Sequence, residues 1–155
     1  MTTKTDLADA IVVEPTLNAP VARVWRALTN VKELRAWYFR DAFAHDGFAL
    51  KEFKSEVGFE FEFISEHEGN PYHQLYKVME VVPQKKMAYT WRYKGEPGNS
   101  LVTFELFAEG EKTRLKVTHE GLETFPDTAE FARENFEKGW AQLIDSELKQ
   151  FVESK

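Results

Sequence analysis

Cysteine is absent from this 155-residue sequence. No disulfide framework can form, and no thiolate zinc site can be built. Long apolar runs are missing too: none approaches the roughly 18 residues that a membrane span requires. The opening MTTKTDLADA lacks the apolar centre of a signal peptide. These absences lead us to expect a protein of the reducing cytoplasm. Clustered positive charge is also lacking. Lys and Arg number 20 against 26 Asp and Glu, a net charge of −6, which argues against nucleic-acid binding. The sequence contains no P-loop, no Gly-rich dinucleotide fingerprint and no nucleophile elbow. His45, His67 and His73 fall in expected loops without HExxH-like spacing, so neither a metal nor a cofactor is expected.

Aromatic residues, by contrast, are abundant: 13 Phe, 5 Tyr and 4 Trp. Each carries a large area to bury. They can fill a core, or their rigid rings can wall a cavity.

The hydrophobic pattern orders them. Ala10–Leu17 reads as a strand. NAPVARVWRALTN follows, with Asn18 or Ala19 as the expected N-cap, Pro20 in the first turn, and Val21, Val24, Trp25 and Leu28 at helical spacing. VKELRAWYF adds a second short helix carrying Leu34 and Trp37. Strands then dominate. Phe59, Phe61 and Phe63 alternate with Glu60 and Glu62; Met87, Tyr89, Trp91 and Tyr93 alternate with Ala88, Thr90 and Arg92. Val102, Phe104 and Leu106 share one face, as do Leu115, Val117 and His119. EHEGNPYH and KGEPGNS read as loops, and AEGEK as a hairpin turn. Short connections imply an antiparallel meander, covered on its apolar face only. The cover is a final helix of about 25 residues, roughly 37 Å long. Asp127 with Glu130 is its expected capping box, and Phe131, Phe136, Trp140, Leu143, Ile144, Leu148 and Phe151 form its apolar stripe. Gly139 interrupts that helix, and a close approach of a neighbouring element would explain it.

The fold class expected is therefore α+β: a curved antiparallel sheet of about six or seven strands wrapped around a long C-terminal helix, with two short helices after strand one. One domain spans residues 1–155, with residues 1–9 as a flexible tail. In NAPVARVWRALTN, LRAWYF, VMEVVPQKKMAYTW, SLVTFELF, KTRLKVTHEGL and FEKGWAQLIDSELKQFV, the chain resembles START-like helix-grip proteins. Within them it is similar to the branch homologous to the C-terminal domain of the heat-shock-protein-90 ATPase activator. Two departures stand out. SEVGFEFEF offers only Gly58 where paired glycines are common, and Tyr76 and Lys77 replace small residues before Val78. Both would reshape a cavity mouth, so the ligand type does not carry over. The co-chaperone has a further N-terminal domain for which this sequence leaves no room, which disfavours a chaperone partner.

The resemblance implies a cavity between sheet and helix that binds a small lipophilic molecule. Its expected lining is Trp37, Phe39, Phe59, Phe61, Tyr89, Trp91, Phe104, Val117, His119, Trp140 and Leu143, reached from the side of Trp37–Phe43. Tyr89, His119 or Arg92 would orient polar groups. The rivals are a cofactor-independent cyclase-like or hydrolase-like enzyme in the same cavity, and a protein-interaction module. Homodimer formation stays open. His119 and Glu120 are strand neighbours, so their side chains point to opposite faces and cannot pair as acid and base. A histidine at the edge of the core, satisfied by a backbone carbonyl, is the simplest reading of His119.

Overall fold

The computed structural model describes residues 10–38, 50, 52–67, 69–128 and 131–154. The tail expected over residues 1–9, Phe39 and most of the segment Trp37–Phe43, His45, and Glu130 of the expected capping box lie outside them, as does the side chain of His67.

Seven strands form one antiparallel sheet. They are β1 (Ile11–Val13), β2 (Thr16–Leu17), β3 (Glu60–His67), β4 (Asn70–Val82), β5 (Lys86–Tyr93), β6 (Ser100–Glu109) and β7 (Lys112–Glu120). The order across the sheet is β1-β7-β6-β5-β4-β3, with β2 also paired to β7. Helices α1 (Val21–Thr29) and α2 (Val31–Trp37) follow β2. The C-terminal helix α3 covers residues 133–153.

Local chemistry sets the breaks. The single expected opening strand is two, because Pro15 has no N–H for the ladder; its carbonyl still accepts from Leu115 N at 3.0 Å. Pro20 is the N-cap of α1, in place of Asn18 or Ala19, and its carbonyl accepts from Val24 N at 3.1 Å. Asn30 ends α1 and caps α2, its side chain accepting from Glu33 N at 3.1 Å. The Trp37 indole donates to Ala27 O at 2.9 Å and ties α2 back onto α1. The expected EHEGNPYH loop is instead a tight hairpin: His67 pairs with Asn70, and Gly69 turns the chain at φ +82°. A bulge between Val78 and Glu80 turns Met79 out to solvent while Val78 stays buried.

The inward rows lie as the alternation predicts. Met87, Tyr89, Trp91 and Tyr93 of β5, Val102, Phe104 and Leu106 of β6, and Leu115, Val117 and His119 of β7 are all buried. Arg92 is exposed on the other face, and Glu60 and Glu62 of β3 are not buried either; Glu62 pairs with His73 at 3.0 Å.

The helix α3 is shorter than the sequence suggests and differently capped. Its N-cap is Ala132, with no capping side chain. Its buried residues are Phe136, Trp140, Ile144, Leu148 and Val152, one every fourth position. An α-helix would rotate such a row by about 40° per step, since four residues overshoot its 3.6-residue turn. The central stretch Ala141–Leu148 is wound wider, as π-helix, which reduces that drift and keeps the row on the sheet. The far end of α3 is tied to α1 and to the turn before it: Asn18 N donates to Glu153 Oε2 at 2.7 Å, and the Arg23 guanidinium of α1 lies 4.9 Å over the Phe151 ring.

Candidate functional site

The middle of the domain is filled by rings. Phe61 stacks on Tyr76 at 4.6 Å with planes 3° apart, Tyr89 meets Phe61 and Phe104 edge-on or tilted at 5.6 Å, and Phe104 reaches Trp140 at 6.2 Å. The open space lies to one side. Between β3–β5 and the first turns of α3 is a cavity of about 320 Å³. Its apolar wall is Trp91, Tyr93, Phe131, Phe136, Trp140 and Leu143; Ser65, Tyr72, Gln74, Asn135, Lys138 and Gly139 complete it. Asn135, Lys138 and Gly139 are exposed, so the solvent side of the cavity is on the helix.

Gly139 belongs to this space and not to a helix contact. A Cβ built on it meets no atom within 4 Å, so no close neighbour requires the glycine. Gly139→Ala is therefore expected to stabilise the helix by about 0.5–1 kcal/mol. A thermal melt should show a rise of roughly 1–4 °C; a fall would mean that the turn at 139 must stay open.

The polar groups in the wall form short chains. Tyr76 Oη donates to Gln74 Oε1, which orients the amide, and Gln74 Nε2 donates to Ser65 Oγ at 2.9 Å. Ser65 Oγ thereby accepts, and its own proton finds no acceptor among the described residues. The Trp91 indole N–H is enclosed and also meets no acceptor among them. Leaving a buried donor unmatched costs about 1–3 kcal/mol. Burial drives the Tyr93 pKa upward, and the Trp91 N–H close by offsets part of that rise without reaching hydrogen-bond geometry. Tyr93 is consequently a neutral phenol at physiological pH.

His119 sits behind the wall. The Trp140 indole donates to its Nδ1 at 2.9 Å, so the ring proton is on Nε2, which donates to Ser100 Oγ at 2.8 Å. Ser100 passes its proton to the Trp91 carbonyl at 2.7 Å. The imidazole also stacks on the Trp91 ring at 5.0 Å. It is satisfied by two side chains, with the backbone carbonyl expected from sequence one step further along. Burial pushes its pKa down to about 3. With both nitrogens engaged and the ring neutral, it has no free position for general-base work.

Of the lining expected from sequence, Trp91, Trp140 and Leu143 meet the cavity. Phe61, Tyr89, Phe104, Val117, His119 and Trp37 are in the packed interior, and Phe59 is half-buried against it. Arg92 is on the solvent face, away from any orienting role there. The lining that sequence reasoning missed is Tyr93, Phe131 and Phe136 with the polar set Ser65, Gln74, Asn135 and Lys138. Tyr93, Phe131 and Phe136 were visible in the apolar rows; nothing local marked the polar four. Among the described residues no cluster of three or more His, Asp or Glu could hold a metal ion.

An antiparallel sheet closed over a long C-terminal helix, with two short helices after the opening strands, defines the START-like class. The chain belongs to the family described as activator of Hsp90 ATPase homolog 1-like protein, whose pattern it matches over residues 18–153. It is similar to the crystal structure of protein CV1439 from Chromobacterium violaceum, at 28% identity and TM-score 0.74, with 94% of this chain and 98% of that one covered. Protein MLL2253 from Mesorhizobium loti is 25% identical, with TM-score 0.71 over 94% and 98% of the two chains. DynU16, a protein of the dynemicin biosynthetic locus, shares the fold at 19% identity and TM-score 0.70; the match covers 95% of this chain but only 48% of DynU16. No curated protein matches the chain. No helix among the described residues is long and apolar enough to cross a membrane.

Proposed function

We propose that this chain binds a small lipophilic molecule in the cavity between α3 and strands β3–β5. The observation that carries the reading is the cavity itself. About 320 Å³ is walled mainly by aromatic side chains, with a few fixed polar groups among them, the composition that small-molecule sites share. The site is built on rigid elements: strand pairing holds Trp91 and Tyr93, and the helix holds Phe136, Trp140 and Leu143. The neutral, fully bonded His119 supports a binding site over a catalytic one.

Thermal melts with a panel of hydrophobic small molecules test this. A ligand at about one hundred times its Kd adds about 2.7 kcal/mol of stability. For a chain of this size that is a rise of roughly 5–10 °C. Gly139→Leu should abolish the rise by filling the cavity. A panel with no stabilising member would remove the reading, as would unchanged binding by Gly139→Leu.

A further inference from the structure

The polar groups that meet the cavity are unequal in kind. Trp91 is only 8% exposed, and its indole N–H has no acceptor among the described residues. An indole nitrogen can only donate. The neutral Tyr93 hydroxyl lies beside it. Ser65 Oγ accepts from Gln74 and keeps its own proton to give. At the exposed edge Lys138 makes no salt bridge with any described residue, although α3 has two others between neighbours four apart, Arg133–Glu137 and Lys149–Glu153. No Asp or Glu is part of the described lining. The Trp140 N–H is already committed to His119, so that residue presents apolar ring surface.

On the reading that the cavity binds a lipophile, we propose that its ligand is a lipophilic carboxylate, an aromatic or aliphatic body with an anionic oxygen head. The unmatched Trp91 N–H, the hydroxyl protons of Tyr93 and Ser65, and a lysine without an ion-pair partner among the described residues match a group that accepts at several points and carries negative charge. A ligand with an ammonium head would meet Lys138 and the Trp91 N–H and, in the described lining, no carboxylate to neutralise it, and such mismatch rejects as effectively as matching attracts. The body would lie against Trp91, Phe136 and Trp140. The head would take the Trp91 and Tyr93 protons, with Lys138 supplying charge from the rim. This goes beyond the family resemblance, which leaves the head group open, and it assigns roles to Trp91, Tyr93, Ser65 and Lys138.

Three probes with one body and different heads test it: naphthoate, naphthalenemethanol and naphthylmethylammonium, titrated calorimetrically into the full chain near neutral pH. Naphthoate should bind at least about tenfold more tightly than the ammonium probe, with the alcohol between them. Trp91→Phe keeps a ring and removes the donor; it should weaken naphthoate about five- to tenfold. Lys138→Glu, on the exposed surface, should narrow or reverse the order of anion and cation without altering the fold. Equal binding of all three probes, or preference for the ammonium head, would overturn the carboxylate assignment and leave the lipophile site standing. Variants that keep the wild-type discrimination would overturn it as well. Binding of no probe would remove the binding reading and this assignment together.

Discussion

Between pH 6.5 and pH 3.5 folding stability is expected to fall steeply, with His119 responsible for roughly 4 kcal/mol of the loss. Above pH 6.5 the imidazole is neutral in both the folded and the unfolded chain, and it contributes no pH dependence. Below that, the unfolded chain binds a proton at the ordinary histidine value of 6.5, while the folded chain cannot until about 3. Each pH unit in that window therefore favours unfolding by about 1.4 kcal/mol. Its surroundings supply nothing to support an imidazolium: Trp91, Phe136 and Trp140 pack around the ring, and the Trp140 N–H occupies the position where the second proton would go. Against a typical total of 5–15 kcal/mol this is a large fraction. His119→Gln isolates the effect. Its amide oxygen can accept from Trp140 and its amide nitrogen can donate to Ser100, but it does not titrate. Urea midpoints of the two proteins measured from pH 8 to pH 4 should run in parallel above pH 6.5 and then shift in favour of the glutamine variant, by about 3 kcal/mol at pH 4. Curves parallel over the whole range would show that His119 takes up its proton in the folded state and is not buried as described.

Trp140→Ala should be the most damaging single substitution in the site, at about 3–5 kcal/mol for the lost ring. The ring is 2% exposed and meets Trp91 at 5.8 Å, Tyr38 at 6.0 Å and Phe104 at 6.2 Å. Its removal joins a new void to the existing cavity and leaves His119 Nδ1 without its donor, which adds about 1–3 kcal/mol. Trp140→Phe keeps most of the packing and loses the hydrogen bond, so a cost of about 1–2 kcal/mol is expected. Urea denaturation of the two variants separates the packing share from the hydrogen-bond share. A cost below about 1 kcal/mol for Trp140→Ala would mean that the wall is not held by this residue.

The rows that face inward were legible before any coordinates because strands repeat at two residues. Tyr89, Trp91 and Tyr93 fall on one face whatever the sheet does around them. The order of elements was legible for the same reason, and with it the fold class. The four-residue repeat Phe136, Trp140, Ile144, Leu148, Val152 was equally present in the sequence. It marks the widely wound centre of α3, yet a search for helical spacing alone absorbs it into a looser stripe containing Leu143 and Phe151. The capping of α3 was misjudged because Asp127 looks like a cap locally, whereas the helix starts only where Phe136 can first reach the sheet.

The site was legible only in part. Periodicity states which face a ring points to, but not whether another ring already occupies the space in front of it. Phe61 and Tyr76 stack across two strands, and Tyr89 meets Phe104 across two more; those contacts fill the region where sequence alone placed the cavity. Gly139 and Lys138 lie beyond the aromatic wall because of where α3 crosses the sheet, and Ser65 reaches Gln74 through the β3–β4 register. The same holds for His119, whose partners come from β6 and α3. What the sequence determined by itself was local: element types, inward faces, the absence of thiolate chemistry and the negative charge. The tertiary structure alone decided where space remains and which donors go unmatched, because both depend on contacts between residues far apart in the chain, and no local period encodes those.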